Sequence, residues 1–398
     1  MPQSSTRTRI ESVATSVFRV PLNKPWVSAV HAITHHEHIL VDVTLENGLT
    51  GTGWTSTMGN AGLAVEALAR GYLAPMLPGR DVFDHEAIWS ALWKRSHQPG
   101  AGGIAALAVA AFDLALWDLR GKLAGLPVRK LIGGAADSLE VYASAVNLHL
   151  SEAELVEQTR RFLDDGNRLF KIKVGRPDRE DDISRVAAVR NVIGKRPLML
   201  DANQRFRPGE ALARINDFAR FDPVWMEEPM IADDPENHAR LAAVSPMPIA
   251  LGETVSTRHE FWRYVSLGAV HYLQPNVLKV GGISEWLKLA HLGQCANVSI
   301  APHGALEVSA IVAAAIPMCY PVENIDGGAF GDQGIVVDPM KIEGGRMYLT
   351  DVPGLGVTFD RDALARHRAG PETTVPLVDP APFYAARAPA HEPLTADG

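Results

Sequence analysis

The sequence has few cysteines and no long hydrophobic segment. It contains two cysteines, Cys295 and Cys319, among 398 residues, so it has no disulfide framework and suits a reducing compartment. No run of 18 apolar residues could form a membrane-spanning helix, and the amino terminus lacks the apolar core of a signal peptide. We therefore expect a cytoplasmic protein with no membrane partner.

The chain also lacks an excess of positive charge. Its formal net charge is −8, which argues against nucleic acids and anionic membranes as partners. The segment 100–105 matches the glycine pattern of dinucleotide-binding loops, but no strand precedes it, so we expect no dinucleotide there. Hydrophobic residues make up 46% and charged residues 21% of the sequence, as in an ordinary globular protein.

Three carboxylates recur at a constant interval. Asp201, Glu227 and Glu253 each end an apolar segment, and each lies 26 residues from the next. A step of this length holds one buried strand, one helix and two loops, the repeat of a (β/α) barrel, whose functional groups lie at the strand ends. Three acids at one rim repel each other unless a cation lies between them, and hard oxygen ligands favour Mg²⁺. The sequence therefore predicts a Mg²⁺ site at a barrel mouth.

The remaining sequence divides into three parts. Residues 1–137 predict an α+β domain with an Asn-Gly hairpin at 37–57, followed by helices. Residues 138–329 predict the barrel, and residues 330–398 predict a segment that returns to the first domain and ends, over 370–398, in a loosely docked tail. The barrel strands are expected at 139–145, 168–174, 197–202, 223–228, 247–252, 270–276, 297–302 and 320–324.

Two basic groups accompany the acids. Lys171 and Lys173 lie two residues apart on a strand candidate, so both point to the same face. Desolvation and the like charge of a metal would lower the pKa of such a lysine and make it a usable base. Asn276, His303 and Glu323 continue the step of strand ends, and a histidine at such a position favours catalysis over a structural role.

These motifs together resemble one known family. Lys-x-Lys, Asp-Ala-Asn, Glu-Glu-Pro, Gly-Glu-Thr, Lys-x-Gly-Gly-Ile and Pro-His occur in the order seen in the enolase superfamily, and the position of His303 resembles its mandelate racemase subgroup. The resemblance covers nearly the whole chain. It implies a modified (β/α)₇β TIM-type barrel with an α+β capping domain built from the N-terminal region and the C-terminal segment, and a homo-oligomer.

The resemblance also implies a reaction and a role for each residue. The reaction is Mg²⁺-assisted removal of the proton α to a carboxylate, giving an enediolate. Asp201, Glu227 and Glu253 would bind the metal, while Lys173 and His303 would act as acid or base on opposite faces of the substrate. Substrate contacts would come from Lys171, which holds the carboxylate, from Glu323, which hydrogen-bonds its other oxygen, and from Asn203.

Asn276 departs from the pattern of the resembled subgroup. Racemase-type relatives carry Asp there, so His303 lacks the negative partner of a His-Asp dyad and is expected to be a weaker base. This difference favours one base and one acid, and hence β-elimination, over racemisation. We therefore expect an acid-sugar dehydratase that acts on an aldonate or aldarate. The alternatives are a racemase or epimerase of α-hydroxy or amino acids, a sugar-lactone cycloisomerase, and a non-catalytic binding protein on the same fold.

Several other residues carry weaker expectations. In the resembled family, the loop near residues 21–36 reaches over the barrel mouth, so Trp26 and His31 are candidate substrate contacts. His31, His35, His36 and His38 together predict a solvated strand edge rather than a metal cluster. Glu228 is expected to face the opposite side of its strand from Glu227 and to support the site or the fold rather than bind the metal. Lys279 is expected to be structural.

Overall fold

The N-terminal part of the chain is a three-stranded antiparallel sheet. The computed structural model describes residues 8–370. The strands are β1 (Ile10–Val27), β2 (Ala32–Leu45) and β3 (Thr50–Thr57), in the order β1-β2-β3. The Asn-Gly turn joins β2 and β3 as predicted, with Leu40 opposite Trp54. The edge strand β1 continues past Pro21 through a register shift that ends at Trp26, which an edge position tolerates because the proline needs no ladder donor there.

Helices cover one face of this sheet. They are α1 (Gly62–Leu68), a π-helical turn (Ala69–Leu73), a 3-10 turn (Ala74–Met76), α2 (His85–Gly100), α3 (Ile104–Ala124) and α4 (Val128–Leu131). Helix α3 packs closely on β3, since a Cβ at Gly53 would lie 2.0 Å from the carbonyl oxygen of Ala111. No helix among residues 8–370 is both long and apolar enough to cross a membrane.

Eight parallel strands alternate with helices from residue 138 onward. The strands are short: β4 (Ser138–Ser144), β5 (Phe170–Lys173), β6 (Leu198–Asp201), β7 (Met226–Glu227), β8 (Ile249–Leu251), β9 (Tyr272–Leu273), β10 (Ser299–Ile300) and β11 (Val322–Ile325). The helices are α5 (Glu152–Asp164), α6 (Arg179–Ile193), α7 (Pro208–Ala219), α8 (Pro235–Ala242), α9 (Arg258–Ser266), α10 (Ile283–Ala296) and α11 (Leu306–Ala313). Capping boxes at Ser151 and Thr257 fix the starts of α5 and α9.

The strands follow one another around the barrel in chain order. β4 pairs with β5 on one side and β11 on the other. The gap between β10 and β11 is bridged where the backbone N–H of Tyr320 donates to the carbonyl oxygen of Ile300 at 2.7 Å. Aromatic side chains, with Trp225 4.9 Å from both Tyr272 and Tyr320 between ring centroids, fill the end nearer the strand starts. The predicted barrel is confirmed, and its open end is the one that carries the carboxylates.

The C-terminal segment packs against the barrel and then against the first sheet. It contains α12 (Phe330–Gln333), β12 (Ile342–Glu343), β13 (Arg346–Tyr348) and α13 (Arg361–Ala365), and β13 pairs antiparallel with β4. Phe359 then lies 5.5 Å from Trp54 between ring centroids, and the N–H of Arg19 donates to the carbonyl oxygen of His367. The domain boundaries at 137 and 329 stay a prediction, and the predicted tail lies, from residue 371, outside the described residues.

A buried polar cluster joins α2 and α3 to the barrel. His85 Nε2 lies 2.7 Å from Asp113 Oδ1 and 2.9 Å from Ser284 Oγ. The other Asp113 oxygen accepts the backbone N–H of Ser284 at 3.0 Å. The Asp113 carboxylate therefore contacts the first turn of α10 and packs against Gly282, the residue that precedes this helix.

Replacing Gly282 by alanine should destabilise the protein strongly. Its φ is +100°, and a Cβ there would lie 2.4 Å from Asp113 Oδ2. Positive φ and overpacking together should lower the free energy of unfolding by about 3 kcal/mol. Urea unfolding measures this value, and Gly268→Ala serves as control. Gly268 has φ +65° and no neighbour within 4 Å, so its substitution should cost only about 1–2 kcal/mol. Equal losses for the two variants would contradict the role given to the Asp113 contact.

Candidate active site

Three carboxylates form a row at the open end of the barrel. Asp201 ends β6, Glu227 ends β7 and Glu253 follows β8 by two residues. Asp201 and Glu227 are Cα partners in the β6–β7 ladder, and all three side chains are buried. The row exists because three apolar runs end at the same layer of a parallel barrel.

Two buried lysines from β5 contact this row. Lys171 Nζ lies 2.8 Å from Glu227 Oε1, 2.6 Å from Glu323 Oε1 and 3.7 Å from Asp201 Oδ2. The ammonium of Lys173 is paired with Asp201. Burial alone would lower the pKa of Lys173, but Asp201 outweighs it and the pKa lies above its usual value. The expected lowering of the Lys173 pKa refers to a site with a divalent cation beside the lysine, so it stays a prediction.

His303 approaches the row from its other end. Its Nε2 lies 2.6 Å from Glu253 Oε2, and its Nδ1 lies 3.2 Å from the Asn276 amide nitrogen. The Asn276 oxygen accepts the N–H of Leu278 at 2.9 Å, so the amide NH₂ faces the imidazole. Burial lowers the pKa of His303, whereas Glu253 and then Glu323 raise it, and the net pKa lies above its usual value.

Glu323 lies between the two basic groups. Its Oε1 pairs with Lys171, and its Oε2 accepts the N–H of Gly304 at 3.1 Å. Burial would raise the pKa of Glu323, but Lys171 and His303 lower it to about 2. An ionised carboxylate donates no hydrogen bond, so the predicted bond from Glu323 to a substrate carboxylate requires a protonated Glu323, and it stays a prediction.

Two further side chains at the row were not predicted. Glu227 Oε2 accepts hydrogen bonds from Trp225 Nε1 at 3.1 Å and Gln274 Nε2 at 2.8 Å. The sequence does carry a signal for both. Trp225 lies two residues before Glu227, and Gln274 two residues before Asn276, which places each pair on one face of its strand.

Asn203 and Glu228 complete the polar surroundings of the row. The Asn203 N–H donates to Asp201 Oδ1 at 2.8 Å, and its side-chain oxygen is buried with no hydrogen-bond partner. Glu228 has φ +40°, and one of its oxygens accepts hydrogen bonds from Gln204 and Thr254. Burial and then Glu253 raise the pKa of Glu228 well above its usual value. The hydrogen bonds from Gln204 and Thr254 fit the expected role of Glu228 as a supporting group beside Glu227, and that role stays a prediction.

The charges of the site do not balance. Five carboxyl groups (Asp201, Glu227, Glu228, Glu253 and Glu323) face three basic groups (Lys171, Lys173 and His303). The excess acid also shows in Glu227, whose pKa burial and the nearby Asp201 raise to about 7. Acidic groups therefore outnumber basic groups at the site, and a divalent cation would offset this excess.

The donors also have the chemistry of a magnesium site. Glu227, Glu253 and His303 each offer a ligand atom, and these atoms lie within 4.8 Å of one another. Asp201 lies outside that group because its Oδ2 faces the lysines. Carboxylates and the unpartnered amide oxygen of Asn203 are hard donors, which Mg²⁺ prefers. The predicted ligand set therefore fits the metal in chemical type and in charge.

A cavity of about 370 Å³ adjoins the His303 side of the site. We call it the distal chamber. Its wall joins the edge of the site, at Asn276, Lys279, His303 and Glu323, to the first sheet and the C-terminal segment. Its apolar lining includes Trp26, Trp54, Met58, Leu278, Ile325 and Phe330. Trp26 and His31 both lie on the chamber wall, as expected for substrate contacts, and that role stays a prediction.

His36 and His38 are buried in the chamber wall, so the predicted solvated edge is wrong for both. His38 Nε2 lies 2.6 Å from Gln333 Oε1, and its ring lies 5.5 Å from that of Phe330. Helix α12 thus packs against β2, although His38 and Gln333 are 295 residues apart in the sequence. Burial lowers the pKa of His36 to about 3 and that of His38 to about 4. Both are neutral near pH 7.

Lys279 lies at the same wall, and the structural role expected for it stays a prediction. Its positive charge contributes to holding the pKa of Glu253 well below its usual value, together with the larger effect of His303 and against the effect of burial. It also lowers the pKa of His31, after burial, the largest cause. Lys279 is therefore a cation at the end of the chamber that adjoins the carboxylate row.

The two buried histidines should make stability fall in mild acid. Their pKa values are lower in the folded protein than the usual 6.5, so below pH 6.5 the unfolded chain binds protons that the folded chain does not. Stability is then lost as the pH falls from about 6.5 toward 4, by up to about 2.7 kcal/mol per pH unit for the two groups. The double variant His36→Asn/His38→Asn should show a correspondingly shallower slope of unfolding free energy against pH. Parallel slopes for parent and variant would contradict this account.

Comparison with known proteins agrees with the fold. Residues 12–133 match the mandelate racemase / muconate lactonizing enzyme N-terminal domain, and residues 154–363 match the enolase C-terminal domain-like family. The chain belongs to the mandelate racemase/muconate lactonizing enzyme family. The resemblance inferred from the motifs is confirmed.

The curated relatives of this family member include several acid-sugar enzymes. It is 36% identical to a 3,6-anhydro-α-L-galactonate cycloisomerase of Streptomyces coelicolor, over 91% of this chain and 100% of the relative. It is 33% identical to an L-talarate/galactarate dehydratase of Salmonella typhimurium, over 90% of this chain and 91% of the relative.

Solved structures of relatives contain magnesium. A racemase from Streptomyces coelicolor with bound magnesium superposes with a TM-score of 0.87 at 35% identity, covering 90% of this chain and 100% of that one. The Salmonella typhimurium dehydratase, liganded with Mg and L-lyxarohydroxamate, gives 0.86 at 31% identity, covering 93% and 95% of the two chains.

Proposed function

We propose that this chain is a Mg²⁺-dependent acid-sugar dehydratase that converts a sugar acid into its 2-keto-3-deoxy product. The observation that carries the proposal is the row of three buried carboxylates with Lys173 at one end and His303 at the other. An α-proton beside a carboxylate is very weakly acidic, so its removal needs a base and concentrated positive charge. The site offers Lys173 and His303 as acid or base and the ammonium of Lys171, and a metal bound by the carboxylates would add the remaining positive charge.

The metal site consists of Asp201, Glu227 and Glu253. Bound there, Mg²⁺ supplies the positive charge that stabilises the negative charge developing on the substrate carboxylate. The excess of acidic over basic groups and the magnesium in relatives' structures support this assignment. Asn203, with its unpartnered oxygen, completes the polar surroundings of metal or substrate.

Three residues of the chain bind the substrate carboxylate and transfer the protons. Lys171, held between Glu227 and Glu323, presents an ammonium to the substrate carboxylate. Lys173 takes the α-proton from one face, and His303 gives a proton to the departing β-hydroxyl on the other. One C–H bond and one C–O bond break, and the product enol becomes the 2-keto acid.

Asn276 favours elimination over racemisation. A racemase needs two bases of comparable strength, and Asn276 presents an amide NH₂ rather than a carboxylate to His303. His303 therefore gains no negative charge from this neighbour. Racemisation or epimerisation remains an alternative that the same site chemistry permits, whereas a non-catalytic binding protein would have no reason to keep both Lys173 and His303.

Cycloisomerisation is the second candidate, and the 36% identity to an anhydro-sugar-acid cycloisomerase favours it. If the C3 oxygen belongs to an anhydro ring, the same loss of the α-proton and the same C3–O cleavage open the ring. The leaving oxygen then stays attached to the product instead of departing as water. The residues required are the same.

The direct test is a screen of acid sugars and anhydro acids with Mg²⁺, assayed for 2-keto-3-deoxy acids. A sugar acid that gives this product by losing water supports dehydration. Product from an anhydro acid alone would move the assignment to cycloisomerisation. α-Hydrogen exchange in D₂O without such a product would replace both by racemisation or epimerisation.

The setting of the enzyme is also part of the proposal. Cys295 and Cys319 are both free thiols, consistent with a reducing cytoplasm. The partner is a small carboxylate substrate, and we expect a homo-oligomer by analogy with the family.

A further inference from the structure

The distal chamber separates the reacting end of a substrate from its other end. His303 and Glu323 are shared by the carboxylate row and the chamber wall. A substrate whose carboxylate lies at Lys171 therefore extends its remaining carbons past His303 into the chamber. The volume of about 370 Å³ is in the range of small-ligand sites.

Positive charge is scarce in this chamber. Among the described residues of its wall, Lys279 is the one lysine and there is no arginine. The backbone N–H of Lys279 donates to the carbonyl oxygen of Asn276 at 3.0 Å, which places Lys279 at the end that adjoins the carboxylate row. His36 and His38 are buried and neutral at pH 7. No described cation therefore lies where the far end of a substrate would be.

The remaining ionisable group of the far wall is an acid. Glu307 is buried, and its Oε1 accepts the N–H of Phe330 at 2.7 Å. Burial raises the pKa of Glu307 to about 7, so it is partly protonated near neutral pH. It can donate to a hydroxyl or ether oxygen when protonated, and it repels a carboxylate when ionised.

We propose that the distal chamber selects monocarboxylic acids whose far end is uncharged and compact, such as an aldonate or anhydro acid, and rejects the dicarboxylic aldarates. This deepens the proposed function and rests on it, since it names the substrate class of the same site. The apolar rings of Trp26, Trp54 and Phe330 pack on the carbon skeleton, and a second carboxylate there would be buried without a cation.

Matched acid pairs test the proposal. Gluconate with glucarate, and galactonate with galactarate, share chain length and stereochemistry and differ only in the far group. With saturating Mg²⁺ in D₂O, NMR measures kcat/KM for α-hydrogen loss from each. We expect the diacid of a reactive pair to be at least roughly 100-fold poorer, and a diacid equal to or better than its monoacid would overturn the proposal.

An engineered cation sharpens this test. Met58 lies on the chamber wall and is partly exposed. Met58→Arg should reduce the discrimination against the diacid by about 10-fold or more through a new ion pair, whereas Met58→Gln, polar but uncharged, should keep the parental ratio. Equal ratios in the two variants would contradict a chamber that discriminates by charge.

Measurements of substrate binding test the selectivity of the distal chamber independently of the proposed reaction. If no acid loses its α-hydrogen, the proposed function fails, and the same pairs are then compared by thermal shift with Mg²⁺. Stronger stabilisation by the monoacids still supports the chamber's selectivity. Equal or stronger stabilisation by the diacids refutes it.

Discussion

Lys173→Met is expected to lower α-hydrogen exchange by about 10²–10⁴-fold, the usual contribution of a general base. Lys173 is buried at the end of β5, and its ammonium is paired with Asp201. Lys171 lies on the same face of β5 but is held by Glu227 and Glu323, so we expect it not to replace Lys173 as the base. Methionine keeps the length and apolar stem of the side chain. The measurement is NMR of the α-hydrogen of a reactive acid in D₂O with Mg²⁺.

A loss of activity has to be separated from a loss of the site. Lys173→Met removes a cation that competes with metal for Asp201, so Mg²⁺ should stabilise the variant at least as strongly as the parent in thermal unfolding. Lys288→Met, which removes a lysine paired with Glu86 on the surface, should leave the exchange rate unchanged. Residual exchange above about 10% of the parental rate in Lys173→Met would remove Lys173 from the role of base.

Glu227→Gln is expected to weaken Mg²⁺ binding by about 100-fold or more. Even residues behind metal ligands typically contribute 10- to 100-fold, and this change removes a charged ligand from the centre of the row. Isothermal titration with Mg²⁺ measures the effect. Catalysis should fall with metal affinity and recover partly at high Mg²⁺ concentration.

The neighbouring glutamate provides the matched control. Glu228 lies one residue on, but its carboxylate is bound by Gln204 and Thr254. Glu228→Gln should therefore keep Mg²⁺ affinity within about 10-fold of the parent. A larger loss in Glu228→Gln than in Glu227→Gln would reverse the assignment of the two glutamates.

The carboxylate row was predictable because its position follows from local sequence. Each acid ends a buried apolar run, and parallel strands of a barrel bring their ends to one rim. The lysine pair on β5 follows from strand alternation in the same way. Such features depend on residues within a few positions of one another.

The distal chamber was not predictable on this basis. His36 and His38 are buried because α12 packs over β2, and Trp26 reaches the site because β1 shifts register after Pro21. The left-handed backbone of Glu228, at φ +40°, also follows from no pattern in the sequence. These features depend on distant contacts and on backbone irregularity that a single sequence does not display.

The central claim is Mg²⁺-dependent removal of an α-proton, and hydrogen exchange tests it most directly. Acid sugars and anhydro acids would be incubated with the protein in D₂O, with Mg²⁺ or with EDTA, and their α-hydrogen signals followed by NMR. The account predicts loss of the α-hydrogen signal for at least one acid with Mg²⁺ and none with EDTA. Unchanged signals for every acid, in protein shown to bind Mg²⁺, would contradict it.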